Sequence, residues 1–220
     1  MEKKETTQTN TIATNIKILE VCCKKLKNLT ANFTPASKHP SPGYSLSMEP
    51  DDQRIREIIK RDSITGYAIQ AQKTIDLLAS QREHLTAVQF HAIQNRLAEI
   101  TEYTITSRRL DTAVELTKTI ASGTFEGPTS ANKNRDKLVE KYLVDIYSAY
   151  KKERDSYNSS DRRYRHSDAD ARYRIDKIVE GITKQIKNGE FGKKAQDNKD
   201  LSNALDKACP APVVYDEMCF

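Results

Sequence analysis

Apolar side chains recur along this chain at alternating spacings of three and four. Of the regular structures only an α-helix, at about 3.6 residues per turn, gathers such positions onto one face. Leu19, Cys22, Leu26, Leu29 and Phe33 follow the pattern over residues 15–33. Ile64, Ala68, Ala71, Ile75 and Leu78 follow it next, then Phe90, Ile93, Leu97 and Ile100, then Leu110, Ala113, Thr117 and Ile120. Two later segments carry related helical spacings: Leu138, Tyr142, Ile146 and Tyr150 in steps of four, and Ile175, Ile178, Ile182 and Ile186 in steps of three and four. Strand signals are poor, because no alternating apolar and polar run is bounded by turn dipeptides, and Val213-Val214-Tyr215 is too short to count. The expected fold class is all-α, a helical bundle of about five to seven helices with disordered N-terminal and C-terminal tails.

Proline and glycine divide these helices. Pro35, Pro40, Pro42 and Gly43 make 34–50 a linker, and Gly123 with Pro128 marks a second break. The expected organisation is a disordered tail over 1–14, a separate amphipathic helix over 15–33, a bundle over 51–187 and a mostly irregular tail over 188–220. Within the bundle, antiparallel helices fill 51–122 and a helical pair fills 132–187, and one compact body is favoured. Asp51 and Asp52 suit a helix start. Whether that helix breaks at Asp62-Ser63 or runs on through Gly66 stays open.

With 220 residues, 37% of them hydrophobic and 30% charged, the chain has room for one sizeable domain or two small ones. No window approaches the roughly 18 apolar residues of a membrane span, and the opening ten residues lack the apolar run of a secretory leader. A cytoplasmic, intracellular location is expected. Cys22, Cys23, Cys209 and Cys219 form no CxxC pair and read as reduced thiols.

The formal net charge of +5 is unevenly distributed. Residues 51–122 hold ten basic and ten acidic side chains, whereas 132–187 hold fifteen basic against ten acidic. The densest basic and aromatic cluster is Arg162, Arg163, Tyr164 and Arg165, followed by Arg172, Tyr173 and Arg174. Guanidinium groups neutralise phosphates and aromatic or guanidinium planes stack on unpaired bases, so Arg162, Arg163, Tyr164, Arg165, Arg172 and Arg174 are the candidate nucleic-acid or anionic-partner site. Interleaved Asp155, Asp161, Asp168, Asp170 and Asp176 favour a solvated, ion-paired face instead.

No nucleophile elbow, phosphate-binding glycine loop or HExxH helix occurs, so no catalytic residue, cofactor or metal is expected. His84 and His91 lie seven apart, too far to share a metal by themselves. The Leu19, Cys22, Leu26, Leu29 and Phe33 stripe has coiled-coil-like spacing, and it either packs on the bundle or pairs with a protein partner or a second copy. The function expected first is a non-enzymatic protein-protein interaction module, an adaptor or scaffold. The alternatives are a helical RNA- or single-strand-binding protein and, behind it, a secreted bacterial effector acting on host proteins.

Overall fold

The computed structural model describes residues 2–31, 52–126, 132–157 and 165–210, and every regular element among them is helical. The chain divides into two compact units, residues 1–135 and 136–220. The boundary falls in the first turn of the fifth helix, so the stretch 51–187, expected as one body, belongs to two. Arg135 stays with the first unit through a 2.9 Å ion pair to Glu126, in the loop that follows Gly123.

The first unit contains α1 (Glu2–Thr30), α2 (Asp52–Ser80), α3 (Ala87–Thr106) and α4 (Leu110–Ala121), with a short 3-10 turn at Arg82–His84. Its broadest packing is α1 on α2, followed by α3 on α4 and α1 on α3. The helix expected to stand apart is therefore central to the core. It also starts earlier than residue 15. Ile12, Asn15, Leu19, Cys22 and Leu26 are all buried, and this seam keeps the three-and-four spacing back into the expected tail. Polar Asn15 interrupts the apolar pattern, which is why periodicity alone stops short of Ile12. Phe33 and the linker expected at 34–50 lie outside the described residues.

Helix α2 runs unbroken through Asp62-Ser63 and Gly66. Burial of Ile64, Ala68, Ala71, Ile75 and Leu78 offsets the weak helix propensity of the glycine. Thr86 caps α3 with a full capping box: its hydroxyl accepts from Gln89 N, and the Gln89 side chain accepts from Thr86 N. Threonine is unusually frequent in this core, yet its hydroxyls are satisfied locally. Thr74 donates to Gln70 O, Thr101 to Leu97 O and Thr117 to Ala113 O, each at 2.7 Å. Gly123, at φ +65°, turns the chain after α4 in a conformation L side chains rarely adopt.

Gly66 is exposed, and a Cβ built on it would meet nothing within 4 Å. Gly66→Ala is therefore expected to stabilise the first unit by about 0.5–1 kcal/mol, since it removes unfolded-state freedom without a clash. An unchanged or lower denaturant midpoint would contradict this.

The second unit contains most of α5 (Asn132–Asp155), then α6 (Arg165–Lys187), α7 (Lys193–Asp197) and α8 (Lys199–Ala208). Val139, Tyr142, Leu143, Ile146 and Tyr150 of α5 and Ile175, Ile182 and Ile186 of α6 form its core. Ile178, expected in that stripe, is 41% exposed. It sits about 60° from the Ile175 direction, at the stripe's edge. Within the described part of the expected irregular tail, residues 188–210, most of the chain is helical, and Phe191, Ala195, Leu201, Leu205 and Cys209 are buried. Asn198 caps α8, accepting from Asp200 N and Leu201 N, while its amide donates to Glu140 Oε1 of α5 at 2.8 Å.

Candidate functional site

The first candidate, the α1 stripe, is taken up inside its own unit. Leu19 and Leu26 are fully buried, Cys22 is buried and Leu29 is half-buried. Beside them the buried Cys23 thiol donates to Glu99 Oε2 of α3 at 2.9 Å, and Arg96 holds the same carboxylate at 3.1 Å. Burial, the bond to Glu99 and the Glu99 charge together push the Cys23 thiol up to about 12. A thiol so held is a poor nucleophile at neutral pH. It tightens α1 on α3.

The Arg/Tyr cluster divides differently. Arg162, Arg163 and Tyr164 lie outside the described residues, and Arg165 is the first residue of α6, with its side chain outside them. Arg172 is half-buried, Arg174 is exposed and Tyr173 is 64% exposed. Arg172 and Tyr173 line a groove of about 1060 Å³ in the second unit.

One wall of that groove is a long face of α6, from Ala169 to Lys187, on which Arg172, Asp176, Val179 and Thr183 lie directly below one another. The opposite wall comes from Tyr147, Arg154 and Asp155 of α5 and from Asp206, Cys209 and Pro210 at the end of α8. Tyr147 is 2% exposed. Its hydroxyl meets Thr183 Oγ1 at 2.8 Å, which satisfies the buried phenol and ties α5 to α6. Burial raises the Tyr147 pKa, and the bond to Thr183 opposes part of that rise.

Arg154 ties the lining segments of the groove together. Its Nη1 donates to Asp176 Oδ1 at 3.0 Å and to Pro210 O at 2.8 Å, joining three chain segments through one guanidinium. Burial alone would depress the Arg154 pKa, but the Asp176 bond and the neighbouring Cys209, Asp176 and Asp155 groups outweigh it and hold the pKa above its usual value. Cys209 is buried beside it, and that burial raises its thiol pKa.

The outer rim of α6 is cationic. Lys177 and Lys184 share one acid, Glu180, at 2.8 and 3.3 Å. The two ammonium groups hold the Glu180 carboxyl below its ordinary value, and the Glu180 bond raises Lys177 in turn. Lys177 also lies 5.7 Å from the Tyr173 ring centroid, a cation-π contact at an exposed position.

Arg154, Asp176, Thr183 and Cys209 were not singled out for a binding site by sequence. The one readable signal was a second three-and-four series, Arg172, Asp176, Val179 and Thr183, running beside the isoleucine stripe. Among the described residues no group of three His, Cys, Asp or Glu side chains is placed to hold a metal. His84 and His91 are both exposed, and His91 Nε2 meets Asn95 Nδ2 at 3.2 Å.

No helix among the described residues is long and apolar enough to cross a membrane. No protein-family model, curated protein or solved structure matches the chain.

Proposed function

We propose that the chain is a helical protein-protein interaction module, an adaptor or scaffold, which takes a polypeptide partner into the groove along α6. The groove itself carries this reading. Its volume, about 1060 Å³, lies at the upper edge of what a small molecule fills. It follows a helix face, and an exposed tyrosine and an arginine stand at its edge. Tyrosine and arginine are among the side chains that dominate binding energy at protein interfaces. The docking face is thus moved from the α1 stripe, which is buried, to the α6 groove.

Capture by the full chain from a nuclease-treated lysate tests this. Defined polypeptides are expected to be retained by the unaltered chain, and the Arg172→Glu/Tyr173→Ala variant is expected to retain about tenfold less of each. Equal retention by both chains would reject the groove as the docking face.

A second reading, binding of single-stranded nucleic acid, draws support from Tyr173 standing exposed between Arg172 and Arg174. An exposed stacking ring with basic side chains on the same helix is what such binding uses. Affinity for a uridine oligomer of about twenty nucleotides would then fall steeply with salt, and a flat response would dismiss it.

A further inference from the structure

Resting on the interaction-module reading, we infer that the occupant of the α6 groove is an acidic amphipathic helix of a partner protein. Its carboxylates lie along the α6 rim and its apolar stripe lies over Val179, Tyr173 and Pro210. Shape is the first reason. The α6 wall from Ala169 to Lys187 is about 27 Å long at 1.5 Å per residue, enough for about five turns of a second helix laid alongside.

Charge complementarity decides the occupant's chemistry. The α6 rim presents Arg172, Lys177, Lys184 and Lys187, while its two acids are engaged: Asp176 by Arg154 and Glu180 by Lys177 and Lys184. Among the described residues Arg172 and Lys187 have no acidic partner, and they lie about 22 Å apart along the helix. The other lining side chains add no free surplus of acid, because Asp155 is engaged by Lys151 and Arg154, which leaves Asp206. The groove's charge surplus is thus cationic and lies on α6. A helix with carboxylates on one flank is held with that flank towards α6. Val179 is half-buried and Tyr173 exposed, which leaves apolar surface for the occupant's stripe.

Two fluorescent designed helices of about eighteen residues test this, one with a leucine stripe and glutamate flanks, the other with the same stripe and lysine flanks. Anisotropy titration against the full chain at low salt should show the leucine/glutamate helix binding at least about tenfold tighter. Arg172→Glu/Lys184→Glu/Lys187→Glu should reverse that order. Tyr173→Ala should weaken both helices. All four positions reach solvent, and thermal melting confirms that the variants are folded. Should the triple variant fail to fold, a salt series on the unaltered chain decides, since only the leucine/glutamate helix should weaken as salt rises.

Equal affinities with a salt-independent response would overturn the acidic occupant. If Tyr173→Ala still weakened both helices, the groove would remain the docking face. If Tyr173→Ala changed neither, or if neither helix bound, both the occupant and the interaction-module reading would fall. Tighter binding of a uridine oligomer than of the leucine/glutamate helix, with displacement of that helix, would overturn the proposal in favour of nucleic acid.

Discussion

Leu26→Asp is expected to abolish cooperative folding of the first unit. Leu26 is fully buried on α1, whose packing against α2 and α3 forms much of that unit's core. Removing the leucine loses about 2–3 kcal/mol of burial, and the new carboxylate enters a buried, largely apolar seam, at a cost of several kcal/mol more. Together these approach the whole stability of an ordinary domain, about 5–15 kcal/mol. Hydrogen exchange followed by mass spectrometry is expected to show lost protection across α2, α3 and α4. Half-buried Leu29, as Leu29→Asp, should cost far less. If α2, α3 and α4 kept their protection in Leu26→Asp, α1 would not be part of that core and the stripe would again be available to a partner.

Arg154→Met is expected to destabilise the second unit by about 2 kcal/mol and to lower its melting temperature by about 10 °C. The figure lies between the small worth of an exposed ion pair and the larger loss on breaking a buried one, because Arg154 and Asp176 are 14% and 18% exposed. The substitution strands the Asp176 carboxylate and releases Pro210 O, so exchange in α8 should rise most. Adding Asp176→Leu should recover a good part of the loss by removing the stranded charge, while the Pro210 contact stays broken. No change in α8 exchange would mean that the guanidinium does not hold the segment after α8 against α6.

Helical segments were legible because their signal is local. The Ile93, Leu97 and Ile100 series and the Leu110, Ala113, Thr117 and Ile120 series are buried as their spacing implies. The signal failed where polar side chains occupy buried positions, at Asn15 and Thr30 of α1, and where helices are too short for a period to register, at α7 and α8. Arg172 belonged to the candidate cluster and lines the groove, whereas Arg174 of the same cluster does not. Two helical steps of about 100° each place them on nearly opposite sides of α6. Arg154 and Pro210 are 56 residues apart and meet only after α6 and α8 have folded onto α5.

The sequence by itself determined that this is an all-helical chain, which faces of most helices are apolar, and where the surplus of positive charge lies. Those properties follow from side-chain spacing and composition. Tertiary structure alone decided that α1 is the core of the first unit rather than an appendage, that the second unit begins at residue 136, and that one face of α6 gains a facing wall from α5 and α8. The physical reason is that hydrophobic burial is non-directional. An amphipathic stripe specifies that it must be covered, and which surface covers it depends on packing among segments distant in the chain.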